Sequence, residues 1–297
     1  MAVLEQLNAD GRGHMRILVT GGTGLIGSHL VKLLKPKHDL VILSRHTVKT
    51  NNARMQFIKG DVTNYSTVEK SASGCDVVFH LAAQTDIALS FKKPKLDYKI
   101  NVEGTKNVLK ACKSCGIDRL VFTSTAAVYG YQRFVPIKET AIKKSTSPYG
   151  KNKLIAEKLC DKFGSFIVRP FNVYDESDRS YSNINKFCSL IKSDKKITID
   201  LNRHDTRDYI HASDVGHALL FGLKDIGTYN VGTGVETSFP DLIALISGKL
   251  NKQAKVVYQG DDKKIRRSCA DISKIMHDFR WMPIVRLEDG VERIVKN

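Results

Sequence analysis

The segment that decides the fold is Arg16-Ile17-Leu18-Val19-Thr20-Gly21-Gly22-Thr23-Gly24-Leu25-Ile26-Gly27. An apolar strand pattern leads directly into a glycine-rich turn, and a helical pattern follows it. Gly21, Gly24 and Gly27 are spaced as GxxGxxG, a variant of the dinucleotide fingerprint. Its glycines permit a tight turn, close approach of backbone N–H groups to a pyrophosphate and packing of helix on strand. The segment predicts a dinucleotide site at a helix N-terminus, with contacts from Gly21, Thr23, Gly24, Leu25, Ile26 and Gly27.

Short apolar runs alternate with helical patterns through the rest of the first half of the chain. The predicted strands span residues 16–20, 40–43, 55–58, 77–81, 119–124 and 166–168. The predicted helices span residues 24–34, 95–114 and 149–163. This alternation is typical of a parallel sheet wrapped by helices. We therefore predict an α/β fold with a Rossmann-type doubly wound parallel sheet over residues 15–170.

The pattern changes after Pro170. Predicted helices at 184–192, 214–223 and 242–250 are separated by short strands at 196–199 and 228–231. We predict a smaller α/β C-terminal substrate lobe over residues 171–297, with some chain returning to the Rossmann domain. Residues 1–14 lack periodicity and Gly13-His14-Met15 resembles a cloning remnant, which predicts a leader outside the fold and a natural start at Met15.

Composition and charge narrow the class of protein. The chain has 297 residues, of which 42% are hydrophobic, enough for a buried core. No segment approaches the ~18 apolar residues of a membrane span, and no signal-peptide pattern is present. The lysines behind the formal charge of +16 lie in scattered pairs without interleaved aromatics. We expect a cytoplasmic protein with no membrane insertion and no nucleic-acid partner.

Two of the six cysteines, Cys112 and Cys115, have the spacing of a metal or redox pair. They lie near the end of a long helical segment, without a second pair or clustered histidines. We predict that both are structural and that the chain has no metal site.

The end of the second predicted strand bears on the choice of cofactor. A carboxylate there accepts a hydrogen bond from the adenosine ribose and selects NAD, but this chain has Ser44 and Arg45. Arg45 can bind the 2′-phosphate of NADP, because a guanidinium fits phosphate well. Alternatively, Ser44 bonds a ribose hydroxyl and Arg45 is solvated. NAD and NADP both remain open here.

Three further segments fit the same dinucleotide site. Asp61 and Val62 follow the third predicted strand, where an aspartate can meet the adenine amino group. Small or apolar residues end the fourth strand and allow close passage of a cofactor; they are Leu81, Ala82 and Ala83. Asn101 lies on the long helix and is also predicted to contact the cofactor.

A catalytic pair is predicted where a helix opens with Tyr149-Gly150-Lys151-Asn152-Lys153. An i, i+4 pair shares one helix face, so the ammonium of Lys153 can lower the phenol pKa of Tyr149 and make it a general base. Ser124 and Thr125 end the fifth strand at the carboxyl edge of the sheet, where open α/β folds bind ligands. A hydroxyl there can donate to a substrate oxygen and share its proton with Tyr149.

Together these motifs resemble the NAD-dependent epimerase/dehydratase family, of the extended short-chain dehydrogenase type. UDP-glucose 4-epimerase-like members are the most similar. The ordered motifs are the glycine turn, Asp61-Val62, His80-Leu-Ala-Ala83, Asn101-Val-x-Gly-Thr105, Ser124-Thr125, Val128-Tyr129-Gly130, Tyr149-x-x-x-Lys153, Arg169-Pro-Phe-Asn172-Val-Tyr174, Thr206-Arg207-Asp208-Tyr209-Ile210-His211 and Tyr229-Asn230-Val231-Gly232. The resemblance implies that Tyr149 is the base, that Lys153 tunes it and binds the cofactor ribose, and that Thr125 is its hydroxyl partner. It also implies that Asn172 and Arg207 bind the diphosphate of a nucleotide sugar.

The chain departs from that family pattern at several positions. Asp175 stands where the family usually has glycine, and residues 200–205 lack the usual glycine turn. Asp261 occupies the position of a second phosphate-binding arginine, for which Arg266 or Arg267 can substitute. These departures concern substrate and cofactor choice rather than the fold.

The leading hypothesis is a nucleotide-sugar 4-epimerase of the UDP-glucose or UDP-N-acetylglucosamine type, acting as a homodimer with NAD. A 4,6-dehydratase of this family follows the catalytic threonine with Asp-Glu, where this chain has Ala126-Ala127. Reduction of a 4-keto sugar by NADPH is the alternative that Ser44 and Arg45 favour. A fourth possibility is a redox sensor that binds a dinucleotide without turnover. Such a protein would need neither Tyr149 nor Lys153, so the presence of both argues against it.

Overall fold

The computed structural model describes residues 13–46, 50–177, 182–200, 202–259 and 265–297. A seven-stranded sheet forms its centre, with every neighbouring pair of strands parallel. In chain order these strands are β1 (Arg16–Thr20), β2 (Asp39–Ser44), β3 (Met55–Lys59), β4 (Val77–His80), β5 (Arg119–Thr123), β6 (Phe166–Pro170) and β11 (Gly227–Val231). Their order across the sheet is β11-β6-β5-β4-β1-β2-β3. From β1 the chain adds β2 and β3 on one side and β4, β5 and β6 on the other, so the strand order reverses between β1 and β4. Such a reversal is where doubly wound folds bind ligands.

Helices cover both faces of this sheet. Those of the first 170 residues are α1 (Leu25–Leu34), α2 (Tyr65–Ala72), α3 (Ile87–Lys92), α4 (Pro94–Tyr98), α5 (Gly104–Ser114) and α6 (Pro148–Phe163). A π-helical segment, Lys99–Glu103, joins α4 to α5, and a 3₁₀ turn, Ala126–Val128, follows β5. Later helices are α7 (Asn183–Lys192), α8 (Ala212–Leu219), α9 (Phe239–Leu250), α10 (Ser273–Phe279) and α11 (Leu287–Lys296), and a 3₁₀ turn, Leu220–Leu223, extends α8.

Strand alternation divides the core between the two faces. Ile17 and Val19 pack with α1 and α8 on one side, whereas Leu18 packs with α2, α5 and α6 on the other. Successive side chains of a strand point to opposite faces, and β1 is buried on both. This is why its sequence is almost continuously apolar.

A third core belongs to the C-terminal part of the chain. Apolar residues of α7, α9 and α11 pack there against residues of four short strands. The short strands outside the central sheet are β7 (Asn172–Tyr174), β8 (Ile197–Ile199), β9 (Thr206–Arg207), β10 (Tyr209–His211), β12 (Thr237–Ser238) and β13 (Val256–Tyr258). They pair as β7 with β10, β8 with β13 and β9 with β12. This lobe lies beyond the carboxyl end of β6, next to the ligand edge of the sheet.

The predicted fold class is confirmed. The predicted segment 95–114 is interrupted by the π-helical stretch, and the strand predicted at 228–231 is β11, which pairs with β6 in the central sheet. The leader predicted at 1–14 falls mostly outside the described residues, although His14 contacts the Lys37 carbonyl at 2.8 Å. Among the described residues, no helix is long and apolar enough to span a membrane.

Candidate active site

A cleft of about 1090 Å³ lies at the carboxyl ends of β1, β4 and β5, at the reversal point of the sheet. The predicted site residues that line it are Gly21, Thr23, Gly24, Leu25, Ile26, Gly27, Ser44, Arg45, Asp61, Val62, Leu81, Ala82, Ala83, Ser124, Thr125, Tyr149, Lys153, Asn172 and Arg207. Residues more than 180 positions apart in the sequence therefore share one surface. Asn101 is the predicted site residue missing from this lining.

The glycine turn forms one end of the cleft. Gly21 has a φ of +73°, and a Cβ there would lie 2.7 Å from the Ala82 backbone nitrogen. A Cβ on Gly27 would lie 2.2 Å from the Gly21 carbonyl oxygen. The N-terminus of α1 at Gly24 has no side-chain cap, so its first-turn N–H groups are not satisfied by a side chain. A small-residue turn before an uncapped helix N-terminus fits a dinucleotide pyrophosphate.

Ser44 and Arg45 lie where the adenosine ribose of a dinucleotide is expected. The Ser44 hydroxyl lies 2.9 Å from the Thr23 hydroxyl and accepts a hydrogen bond from the His46 backbone N–H at 3.2 Å. Arg45 is exposed at the edge of the cleft. Asp61 also lines the cleft, where its carboxylate accepts from the Thr63 N–H at 2.9 Å. The geometry thus provides both a hydroxyl for a ribose and a cation for a phosphate.

Asn101, a predicted cofactor contact, lies outside the cleft lining. It is 1% exposed and lies behind the cleft wall. Its side-chain oxygen accepts from the Gln84 N–H at 3.0 Å, and its amide donates to the Gln84 carbonyl and to Asp97. The amide is therefore used to hold the backbone that follows β4. Gln84 itself lines the cleft and was missed by the sequence analysis, although it directly follows Leu81-Ala82-Ala83.

Tyr149 and Thr125 meet at the floor of the cleft. Tyr149 follows Pro148 in the first turn of α6, whose N-cap Ser147 accepts from the Gly150 N–H. Thr125 accepts from the Ala127 N–H at 3.2 Å and lines the cleft together with Tyr149. Burial raises the pKa of Tyr149 to about 12; the Thr125 hydrogen bond lowers it and the negative charge of Asp97 adds to the rise. The expected lowering toward neutrality is wrong for the polypeptide by itself, because desolvation outweighs the favourable contact.

Lys153 lies one helical turn beyond Tyr149. Its ammonium is buried, donates to the Thr123 carbonyl at 2.7 Å and lies 4.1 Å from the centre of the Phe122 ring. Burial lowers the pKa of Lys153 to about 8, although the charges of Cys160, Glu157 and Asp97 raise it. The lysine is thus held by the end of β5.

Ser124 lines the cleft but also makes a buried contact behind it. Its hydroxyl donates to Glu157 at 2.7 Å in a buried contact. The same carboxylate binds Arg169 through two hydrogen bonds, of 2.6 and 3.0 Å. The Ser124 hydroxyl is therefore committed to a structural network, and Thr125 is the hydroxyl that faces Tyr149.

Basic and polar residues of the C-terminal lobe form the other end of the cleft. Asn172 and Arg207 line it, and the Arg207 guanidinium donates to the Thr206 carbonyl at 2.7 Å. Arg266 and Arg267 both line the cleft; Arg267 is paired with Glu236, and the Arg266 guanidinium lies 4.8 Å from the Tyr131 ring centre. Because the Arg267 charge is already paired with a carboxylate, Arg266 is the better candidate to bind a phosphate. Asp261 lies outside the described residues.

Comparison with known proteins agrees with this architecture. The family model described as "NAD dependent epimerase/dehydratase family" matches residues 17–232. A putative UDP-glucose 4-epimerase from Methanocaldococcus jannaschii is 32% identical, over 94% of this chain and 97% of its own. The dTDP-D-glucose 4,6-dehydratase of Mus musculus is 29% identical, over 98% of this chain and 91% of its own.

A similar fold has been solved with a nucleotide sugar in place. The UDP-glucose 4-epimerase of Thermotoga maritima, solved with UDP-glucose, superimposes with a TM-score of 0.87 at 29% identity. The match covers 95% of this chain and 98% of that enzyme. The likeness therefore includes the C-terminal lobe as well as the central sheet.

Proposed function

The chain belongs to the NAD dependent epimerase/dehydratase family, and we propose that it is a cytoplasmic UDP-sugar 4-epimerase of the UDP-glucose or UDP-N-acetylglucosamine type. The family uses NAD, and the uncapped turn from Gly21 to Gly27 suits its pyrophosphate. The observation that carries the proposal is that Thr125, Tyr149 and buried Lys153 line one cleft, which has basic residues at its far end.

In the proposed reaction Tyr149 takes the proton of the sugar C4 hydroxyl, and Thr125 donates a hydrogen bond to the same oxygen. When bound, NAD supplies a reversible hydride acceptor, so that the return of the hydride to the other face of the 4-keto sugar completes the cycle without net oxidation. Lys153 stabilises the tyrosinate and binds the cofactor ribose. Burial raises the pKa of Tyr149, so positive charge in the cofactor-bound cleft is needed to offset that desolvation.

The C-terminal lobe is proposed to bind the nucleotide sugar. Residues 171–297 would contribute Asn172, Arg207 and Arg266 to the diphosphate, since guanidinium and amide N–H groups suit phosphate oxygens. Relatives include a 4,6-dehydratase. However, Ala126 and Ala127 follow Thr125 in the cleft lining, and no acid stands there to carry out an elimination. This supports epimerisation over dehydration.

The test is interconversion of UDP-glucose with UDP-galactose, and of their N-acetyl forms, by the wild-type enzyme and Tyr149→Phe. Loss of the general base should lower turnover at least about 10²-fold, with dinucleotide binding retained. Tyr258→Phe, at a half-buried tyrosine of β13 outside this cleft, is the matched control. Near-wild-type turnover in Tyr149→Phe would remove Tyr149 from the proposed mechanism.

One observation favours a second candidate. Arg45 gives the cleft a cation where NADP carries its 2′-phosphate, which suits a reductase of 4-keto nucleotide sugars. Incubation with a UDP-4-keto sugar and NADPH distinguishes the two. Net NADPH consumption without epimerisation would favour the reductase.

A further inference from the structure

Four metal-ligating side chains converge away from the cleft, between α1 and α8. His29 lies on α1, Asp175 and Glu176 follow β7, and His211 ends β10. One ligand atom each from Asp175, Glu176 and His211 lie within 4.8 Å of one another. None of the four residues, which we term the histidine–carboxylate cluster, lines the cleft.

The distances in the cluster suit a small divalent ion. His211 Nε2 lies 3.2 Å from Glu176 Oε2 and 3.7 Å from Asp175 Oδ2. Tetrahedral zinc with bonds of about 2.0–2.2 Å holds neighbouring ligand atoms about 3.3–3.6 Å apart. The side chains of His211 and Asp175 are 2% and 5% exposed, whereas that of Glu176 is 21% exposed. An ion could therefore be enclosed with only small movements.

Hydrogen bonds already orient the three groups. His211 Nε2 faces the carboxylates, and its Nδ1 lies 2.7 Å from the Ser213 hydroxyl and 3.3 Å from the Ser213 N–H, from which it accepts. Binding a metal through Nε2 moves the ring proton to Nδ1, which then donates to the Ser213 hydroxyl. His29 Nε2 lies 2.5 Å from Asp175 Oδ2, and the Ser177 N–H donates to the other oxygen at 2.7 Å. Arg293 lies 3.6 Å from Glu176 Oε1, which leaves Oε2 facing His211. Supporting bonds of this kind are typical of ligands in metal sites.

We propose that Asp175 Oδ2, Glu176 Oε2 and His211 Nε2 bind a divalent transition-metal ion, with zinc as the ion to test. His29 positions Asp175, and water completes the coordination. Mixed imidazole and carboxylate ligands suit zinc. The ion would tie the segment after β7 to the start of α8 and, through His29, to α1. Its role is therefore structural, at a distance from the reacting groups.

The experiment is calorimetric titration of zinc into chelator-treated full-length protein, with thermal unfolding followed in parallel. We expect one zinc per chain, and an affinity at least tenfold weaker in Asp175→Asn and in His211→Gln. His29→Asn should weaken binding by about 10–100-fold, as loss of a supporting residue does. At free zinc 100 times the dissociation constant, the folding equilibrium should shift about 100-fold, which raises the melting temperature.

The control is His277→Gln, because His277 forms an exposed pair with Asp278 at 2.8 Å that can also attract zinc. It should leave the stoichiometric site unchanged. If Asp175→Asn does not fold, Glu176→Gln replaces it, because Glu176 is more exposed; its affinity for zinc should also fall at least tenfold. Absence of stoichiometric binding, or equal affinity in wild type and the cluster variants, overturns the proposal.

Discussion

Glu157 determines what the two neighbouring hydroxyls at the end of β5 can do. It accepts from Ser124 and holds Arg169, so Thr125 is left to meet Tyr149. The sequence predicts hydroxyls at this edge, because the strand pattern and its end are local signals. It does not distinguish Ser124 from Thr125, because the deciding carboxylate lies 33 residues away on α6. The bond between Asn101 and Gln84 is hidden from the sequence for the same reason, since the two residues are 17 positions apart.

Arg45 carries a prediction about cofactor choice. Arg45→Ala should weaken NADP(H) roughly ten- to a hundredfold, because a charge-assisted contact contributes about 1.5–3 kcal/mol. NAD(H) has no 2′-phosphate and should lose much less. Titration of both cofactors into wild type and variant measures the difference. Arg54→Ala, at an exposed arginine outside the cleft, is the control. Equal losses for the two cofactors would show that Arg45 does not recognise the phosphate.

His80 carries a prediction about acid stability. Its ring nitrogens lie 2.7 Å from the Thr20 hydroxyl and 3.1 Å from that of Thr105, and burial together with the charge of Lys153 lowers the pKa of His80 to about 3. Below pH 6.5 the unfolded chain protonates this histidine and the folded chain does not. The free energy of unfolding should therefore fall with pH from about 6.5 toward 3, by about 1.4 kcal/mol per unit at most from this group.

Urea unfolding at several pH values tests this contribution. His80→Asn should be less stable near neutrality and should have a shallower dependence on pH between 6.5 and 4. His277→Asn, at an exposed histidine, should keep the wild-type dependence. Identical slopes in His80→Asn and wild type would contradict the assignment.

At the scale of elements, local signals predict the first half of the chain well. The strands from β1 to β6 follow from apolar runs bounded by turns, and α6 brings Tyr149 and Lys153 into one cleft. The sequence near β11 does not show that this strand belongs to the central sheet, because its partner β6 lies some 60 residues earlier. The histidine–carboxylate cluster is equally hidden, since 146 residues separate His29 from Asp175.

The turn between β1 and α1 gives a stability prediction. Gly27→Ala should destabilise the protein by about 1–3 kcal/mol, the usual cost of overpacking. The added Cβ would lie 2.2 Å from the Gly21 carbonyl oxygen and 2.8 Å from the Gly22 Cα, both backbone atoms. Dinucleotide affinity should fall as well, because the turn shifts. Gly248→Ala in α9 is the matched control.

Gly248 has no neighbouring atom within 4 Å of an added Cβ. In that helix alanine should stabilise the fold by up to about 1 kcal/mol. Urea unfolding of both variants measures the contrast. A neutral effect of Gly27→Ala would mean that the helix does not pack on the turn as described.

The whole molecule combines a strong positive charge with exposed apolar side chains on two contacting helices beside the active site. Leu96 and Tyr98 of α4 and Ile155 of α6 are 38–41% exposed, α4 packs against α6, and Leu96 also lines the cleft. A hollow between these helices is lined by Pro94, Tyr98 and Pro148 together with Lys95, Lys99 and Lys151. Apolar surface gathered on one face is typical of an interface between chains. We propose that this is the contact of the expected homodimer.

A two-fold contact places the same patch of each copy against the other, so one substitution acts twice. Ile155→Lys should therefore yield monomers of 33.2 kDa, because two buried ammonium groups would face each other across the axis. Light scattering with size-exclusion chromatography measures the mass. Ile284→Lys, at an isoleucine that is 68% exposed elsewhere, should leave the dimer intact.

The dimer should also respond to salt, because each chain has a net charge of +16 and the two copies repel each other. As salt rises from 0.01 M to 0.1 M the screening length falls to about 10 Å, and the wild-type dimer should tighten. A wild-type monomer at every salt concentration, or dissociation by Ile284→Lys, would show that this patch is not the contact.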